Sequence, residues 1–160
     1  MNGASVTPAP QRFDWPVRVY WEDTDGGGIV YYANYLKFFE RARTEWLRAM
    51  DVSQSVLAGS AGLVFVVSEV NLRYHAPARL DDMLQLRLQV RELGAARIAL
   101  AQQAWRPSDA GAAQPLAEAA VRVGCVQAAS LRPARIPADL RAKIAEWLPS
   151  RTGSEIGSGS

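Results

Sequence analysis

The chain has 160 residues, of which 49% are hydrophobic and 21% charged, so it is long enough for one globular domain with a substantial core. Its 18 basic and 16 acidic side chains leave a net charge of +2, and no basic run is interleaved with aromatic residues, so we expect no nucleic-acid partner. No apolar run approaches the length that crosses a bilayer, which argues against a transmembrane segment.

The two ends of the chain differ in composition from the middle. We interpret residues 1–13 as a flexible N-terminal arm, residues 14–150 as a single domain and residues 151–160, RTGSEIGSGS, as a flexible tail. The first residues also lack the charged and apolar regions of a secretion signal. We therefore expect the protein to be cytoplasmic.

A strand and a long helix are predicted first. The segment WPVRVYWE places Val17, Val19 and Trp21 on one side of a half-buried strand. From Asn34, a suitable N-cap residue, the period changes to that of a helix of four to five turns. The apolar face of that helix consists of Tyr35, Phe38, Phe39, Ala42, Trp46, Ala49 and Met50.

Four strand-like runs and a short helix follow. The runs are LVFVVSEVNLRY, MLQLRLQVR, RIALAQQAW and LAEAAVRVGCV, and they are separated by segments rich in turn residues. The final helix is PADLRAKIAEWL, with Pro137 in its first turn. Strands grouped after a helix predict an α+β fold with an antiparallel sheet, and a curved sheet around the long helix would cover its broad apolar face.

Carboxylates, glycines and a helix start are gathered between residues 20 and 43. Asp23 and Asp25 are two apart and share one side of a strand end, and Gly26–Gly28 allow a tight turn. The following helix presents unpaired backbone N–H groups at its N-terminus. A carboxylate facing such N–H groups can carry out acyl transfer, as nucleophile or general base, although the same residues also suit a simple turn and cap. The glycines lack the lysine and hydroxyl residue of a phosphate-binding loop.

Two separate motifs resemble one known family. The segment VRVYWEDTDGGGIVYYANYLKFFERARTEWLR resembles the signature of the 4-hydroxybenzoyl-CoA thioesterase family of hotdog proteins, and it is most similar to the branch of acyl-CoA thioesterases associated with the Tol-Pal system. The segment VVSEVNLRYHAPARLDDMLQL resembles the same branch. The likeness runs from Phe13 to about Pro137.

The resemblance implies a hotdog fold, in which a five-stranded antiparallel sheet wraps a long central helix, and a homodimer or homotetramer. It implies hydrolysis of an acyl-CoA or acyl carrier protein thioester, with Asp25 as nucleophile or general base and the Tyr32 backbone N–H polarising the carbonyl. Many similar proteins carry histidine at the position of Tyr32. In this family the acyl group lies in a pocket shared between protomers. The residues that we expect to contact substrate are Gly27, Gly28, Ile29, Val30, Tyr35, Glu40 and Val66.

Other chemically active residues receive structural interpretations. Glu40 is either a second carboxylate near the pocket or the ion-pair partner of Arg43 or another arginine, and the lone His75 lies in a turn. Cys125 lies in an apolar run, so we expect it to be a small, buried hydrophobic residue. No residue set has metal-ligand spacing, so we expect no metal and no cofactor. The turn where some family members bind coenzyme A phosphates keeps only Arg91 and Arg97, and we assign no phosphate site.

Two alternatives to hydrolysis stay open at this point. A hotdog dehydratase or isomerase would act on the same thioesters, but it generally needs a histidine beside a carboxylate, and His75 is poorly placed for that. A non-catalytic acyl-thioester-binding protein would use the pocket without needing Asp25.

Overall fold

The computed structural model describes residues 11–108, 111–112 and 114–149. Within these residues five strands and one long helix form an α+β fold, as predicted. The strands are β1, Phe13–Arg18; β2, Leu63–Tyr74; β3, Met83–Leu93; β4, Arg97–Trp105; and β5, Ala117–Gln127. The helices are α1, Asn34–Ala49; α2, Gln54–Val56, which continues as a wider helical turn over Leu57–Ala61; and α3, Ala138–Ala145.

The described strands form one antiparallel sheet in the order β1-β3-β4-β5-β2. The strict alternation of leucine and valine with polar residues in β3 puts Leu84, Leu86, Leu88 and Val90 on the face that is buried. The opposite face of β3 carries Gln85, Arg87 and Gln89, which are only partly buried. The sheet therefore has one apolar inner face and one polar outer face.

Helix α1 lies against the inner face and supplies the centre of the core. Trp46, Phe38 and Phe39 are among the largest fully buried side chains. Burying each of them contributes roughly 1.5–3 kcal/mol relative to leaving it in water. At the C-terminal end of α1, the Lys143 ammonium from α3 donates to the Met50 carbonyl at 3.0 Å. A positive charge at this end interacts favourably with the helix dipole.

Three local predictions around α1 and β1 were wrong in detail. Strand β1 ends at Arg18, and Trp21 begins a short 3₁₀ turn in which its side chain is 79% exposed. The N-cap position is Ala33, without a side-chain capping bond, and Asn34 is the first helical residue, whose side chain donates to the Asp23 carbonyl at 2.8 Å. Ala49 is exposed, and Leu47 takes its place on the buried face.

Of the two predicted domain limits, only the one between residues 13 and 14 falls within the described residues. Phe13, the last residue of the predicted arm, begins β1 and pairs with Leu88 of β3. The predicted tail, residues 151–160, and residues 1–10 of the arm lie outside the described residues.

Strand β2 is the strand most open to solvent. It pairs with β5 on one side and ends the sheet on the other. Val66, Val67 and Val70 are 37–44% exposed, although this 12-residue strand was predicted from its apolar composition. A long, apolar edge strand is a surface on which another strand can pair.

Candidate active site

The acidic and glycine-rich segment forms a small hairpin that leads into α1. The Asp25 N–H donates to the Ile29 carbonyl at 2.9 Å, and the Tyr31 N–H donates to the Asp23 carbonyl at 2.9 Å. The Gly28 N–H closes the turn on the Asp25 carbonyl at 3.2 Å. Gly28 has φ +76°, a left-handed conformation that glycine adopts without steric cost. The glycines therefore let the chain reverse direction directly beside Asp25.

The Asp25 carboxylate stands at the exposed tip of this hairpin. Its Oδ1 accepts the Gly27 N–H at 2.7 Å, which fixes the orientation of the carboxylate. No described residue donates to its Oδ2. A Cβ atom on Gly27 would stand 3.2 Å from Oδ1, so glycine permits this close approach. Asp25 thus presents an oriented carboxylate whose Oδ2 has no hydrogen-bond donor in the described part of the chain.

Asp23, two residues earlier, has a different environment. Its side chain is buried, and its Oδ2 accepts the Tyr20 N–H at 2.8 Å. Its carbonyl accepts both the Tyr31 N–H and the Asn34 side-chain amide. Asp23 therefore ties the hairpin to the first residue of α1.

The backbone at Tyr32 presents a donor next to this hairpin. Tyr32 lies two residues before the first residue of α1, and no described residue accepts its backbone N–H. Its carbonyl accepts the Tyr74 hydroxyl at 2.8 Å. The Tyr74 hydrogen bond thus anchors the peptide group that follows Tyr32. A backbone N–H without an acceptor is suited to polarising a thioester carbonyl.

Aromatic rings pack behind the hairpin. The Tyr74 ring meets those of Tyr32 and Tyr35 edge to face, with centroids 6.3 and 5.6 Å apart. Tyr35 is 3% exposed, and burial raises the pKa of its phenol. Tyr35 therefore lies in the core behind the hairpin.

The other predicted contact residues are divided by the fold. Gly27 and Gly28 are exposed and Ile29 is half-buried, whereas Val30 is buried and its N–H donates to the Ala78 carbonyl at 2.8 Å. Glu40 borders a cavity between α1 and the sheet. A groove lined by Leu36, Phe39, Val70 and Val121 lies beside this cavity. Val66 lines neither the cavity nor the groove, whereas its neighbours Phe65 and Val67 line the cavity.

A buried polar contact lies next to Glu40. The Arg43 guanidinium donates to Gln102 Oε1 at 2.9 Å, and Gln102 Nε2 donates to the Phe39 carbonyl of α1 at 2.9 Å. Gln102 is fully buried. Burial lowers the pKa of Arg43, and the nearby charge of Glu40 raises it by a smaller amount. No carboxylate of the described residues lies within ion-pair distance of Arg43, so the predicted Glu40–Arg43 pair acts only at longer range.

The remaining candidates take structural positions. The His75 imidazole lies 3.5 Å from the Glu118 carboxylate on the neighbouring strand β5. Cys125 is 1% exposed and unbonded, which confirms that it is buried, and this burial raises the pKa of its thiol. Arg91 borders an open region of the outer sheet face, and Arg97 is exposed. Among the described residues no three or more metal-binding side chains cluster, and no helix is long and apolar enough to cross a membrane.

Three residues of the site were missed in the sequence. Tyr74 and Asn34 act on the hairpin through single hydrogen bonds whose partners are 42 and 11 residues away, so no local pattern identifies them. Gln102 could have been identified from the sequence of β4. It is the polar member of the inward series Ile98, Leu100, Gln102 and Ala104, and a buried amide must find partners.

Comparison with known proteins supports one family. A family model described as the thioesterase-like superfamily matches residues 19–144. The chain is 42% identical to the acyl-CoA thioesterase YbgC of Haemophilus influenzae over 81% of this chain and 92% of that protein. It is 40% identical to the acyl-CoA thioester hydrolase YbgC of Escherichia coli, over 82% and 95% of the two chains. A crystal structure of a probable thioesterase from Bartonella henselae superposes with a TM-score of 0.72 at 33% identity, covering 79% of this chain and all of that one.

Proposed function

This chain belongs to the thioesterase-like superfamily and hydrolyses acyl-CoA thioesters, and we propose that Asp25 and the Tyr32 backbone N–H carry out this reaction. Family membership confirms the resemblance and the hotdog fold expected from the two motifs. Two relatives with hydrolase names, each matched over about four-fifths of this chain, favour hydrolysis over the dehydratase and the non-catalytic alternatives.

The observation that carries the proposal is the contrast between the two aspartates. Asp23 is buried and its carboxylate accepts the Tyr20 N–H, whereas Asp25 is exposed and its Oδ2 accepts no hydrogen bond from the described residues. The Asp25 carboxylate either attacks the thioester carbonyl carbon or takes a proton from an attacking water. The Tyr32 N–H stabilises the negative charge that develops on the carbonyl oxygen.

Both routes give the same balanced reaction. In the first, an Asp25 oxygen bonds to the acyl carbon, the carbon–sulfur bond breaks, and water then hydrolyses the mixed anhydride. In the second, the water oxygen bonds to the acyl carbon directly as Asp25 accepts its proton, after which the carbon–sulfur bond breaks and the proton passes from Asp25 to the departing thiolate. Each consumes one water and releases a carboxylic acid and a thiol, so the proposed chemistry needs no cofactor.

We expect the active unit to be at least a homodimer formed through β2. This strand ends the sheet, and its exposed Val67 and Val70 line a groove beside α1, so pairing would cover them and enclose the acyl group between protomers. Sedimentation at assay concentration tests this, and a fully active monomer would contradict it.

The cellular location and the thiol carrier are also proposals. The unbonded Cys125 suits the reducing cytoplasm. Coenzyme A is the thiol named in the relatives, and an acyl carrier protein thioester is the second candidate.

A panel of acyl-CoAs with short, long and aromatic acyl groups tests the function, with release of free thiol as the readout. We expect hydrolysis of at least one class. An enoyl or hydroxyacyl thioester in the same panel reports hydration or dehydration by a change at the double bond. Such a change without thiol release would contradict the proposal.

A further inference from the structure

The cavity between α1 and the inner face of the sheet has a mixed wall. Its volume is about 200 Å³. Its apolar wall comes from α1, β2, β4 and β5, and includes Leu47, Phe65, Ile98, Leu100 and Val123. Glu40, Arg43 and Thr44 of α1 also border it. At roughly 30 Å³ for each water-sized group, the cavity holds about six to seven such groups.

A groove lies beside this cavity, nearer to the start of α1. The groove begins at Leu36, in the first turn of α1. It shares Glu40, Arg43 and Val67 with the cavity. Its walls are Phe39 of α1 with Val70 and Val121 of the sheet. Groove and cavity thus follow α1 inward from the end that carries the Tyr32 N–H.

Two side chains on the cavity wall have N–H groups that could donate to a ligand. Trp46 is 2% exposed, and its indole Nε1 has no hydrogen-bond partner among the described residues. Arg43 uses one of its five N–H groups for Gln102 and has no carboxylate within ion-pair distance in the described part of the chain. The unsatisfied Trp46 N–H is costly while it is buried without an acceptor, and the Arg43 guanidinium has further N–H groups, so a ligand acceptor between them would be favoured.

Resting on the proposed thioesterase function, we propose that the cavity receives the far end of the acyl chain and selects acyl groups that carry a hydrogen-bond-accepting oxygen there, with Arg43 and Trp46 as donors. A hydroxyl, keto or carboxylate oxygen supplies the required lone pairs. Gln102 acts as a positioning residue, because its two hydrogen bonds hold the Arg43 guanidinium against the backbone of α1.

The helix sets the chain length that reaches this position. From Asn34 to Glu40 and to Arg43 the rise along α1 is about 9 and 13 Å at 1.5 Å per residue. An extended chain covers roughly 1.2 Å per bond, so an acyl chain of about eight to eleven bonds spans that distance. The proposed substrates are therefore medium-chain acyl-CoAs with an oxygen at or near the far end.

The test measures binding and does not depend on turnover. The variant Asp25→Asn of the full chain is titrated by calorimetry with decanoyl-CoA, 10-hydroxydecanoyl-CoA and the mono-CoA thioester of decanedioic acid. We expect at least one oxygenated ligand to bind about ten- to a hundredfold more tightly than decanoyl-CoA, as for one hydrogen bond to a charged donor. The hydroxyl and carboxylate ligands separate neutral from anionic acceptors.

Paired variants in the same background assign the donors. Trp46→Phe and Arg43→Met are expected to bring the ratio of affinities towards one. Trp147→Phe and Arg41→Met make the same changes outside the cavity and are expected to leave the ratio unchanged. Trp147 packs edge to face on Trp46, and Arg41 lies over Phe38 on the same helix. The variant Arg43→Met loses the contact to Gln102 and could unfold for that reason. In that case the variants Arg43→Lys and Trp46→Phe are used to test the proposal.

The outcomes for the cavity and for the function are distinct. Equal affinity for all three ligands, or an oxygen preference that survives both Trp46→Phe and the Arg43 substitution, would overturn the inference while wild-type hydrolysis stands. A preference that disappears in these variants, with no hydrolysis of any panel substrate by the wild type, would overturn the function and leave the binding site.

Discussion

The hairpin around Asp25 and the cavity behind α1 are built in opposite ways. The hairpin is exposed and is held mainly by backbone hydrogen bonds, whereas the cavity is lined by packed side chains, and the buried Gln102 amide holds Arg43 at its border. A reacting carboxylate must be reachable by a bulky thioester and by water, while groups that discriminate between acyl chains act most strongly when shielded from water. Changes in the hairpin should therefore alter the rate of the reaction, and changes in the cavity should alter the choice of substrate.

The largest effect is expected from Asp25→Asn. The substitution keeps the shape and the acceptor for the Gly27 N–H but removes the charge that a nucleophile or base needs. Loss of a general base typically lowers the rate by about 10²–10⁴-fold, and we expect this on kcat with KM nearly unchanged. The measurement is steady-state thiol release with the best acyl-CoA of the panel.

Asp23→Asn is the matched control for this change. It removes the same charge two residues away, but the new amide oxygen can still accept the Tyr20 N–H. We expect a milder loss of activity provided that the loop remains folded. Equal losses in the two variants would show that the hairpin needs charge at either position and that Asp25 has no special role.

Gly28→Ala should have the next largest effect. At φ +76° an alanine pays roughly 1–2 kcal/mol of backbone strain, which would lower the free energy of unfolding or distort the turn. Activity should fall several-fold, with urea unfolding measured in parallel. Gly26→Ala, at a glycine without positive φ and with open space around its Cβ position, should be near neutral. Equal losses in the two variants would argue against the turn geometry described.

A smaller effect is expected from Tyr74→Phe. It removes the hydrogen bond to the Tyr32 carbonyl and keeps the ring contacts with Tyr32 and Tyr35. A net hydrogen bond contributes about 0.5–1.5 kcal/mol, so a few-fold fall in kcat with unchanged KM is expected if this bond positions the donor N–H. A change confined to KM would place its role in substrate binding instead.

The smallest effect is expected from Cys125→Ala. The thiol is buried in β5, and the raised pKa keeps it protonated and unreactive near neutral pH. Activity should stay within a few-fold, and the native protein should resist thiol-alkylating reagents that label the unfolded chain. Complete loss of activity in a folded variant would contradict the structural role.

The sequence predicted what depends on local periodicity. The strand β2 begins and ends where the apolar run predicts, and the buried leucines of β3 follow from alternation alone. Trp21 was misplaced because alternation continues past the point where the chain enters a 3₁₀ turn. A two-residue period does not show where a strand stops pairing.

Properties that depend on sheet order could not be predicted in this way. The exposure of β2 follows from its place at the end of the sheet, which its own residues do not encode. The Arg43–Gln102 contact joins residues 59 apart and depends on where α1 crosses β4. By contrast, the place of Asp25 beside three glycines was visible in the sequence, because turn, carboxylate and helix start are neighbours in the chain.

Chemical rescue of Asp25→Ala tests most directly whether the Asp25 carboxylate is the reacting group. The substitution leaves room for a small external carboxylate such as formate, which can act as nucleophile or base in its place. The account predicts that formate raises thiol release by Asp25→Ala in proportion to its concentration, and leaves the wild type and Asp23→Ala unchanged. Hydrolysis by Asp25→Ala at the wild-type rate, or an equal formate response in both alanine variants, would contradict it.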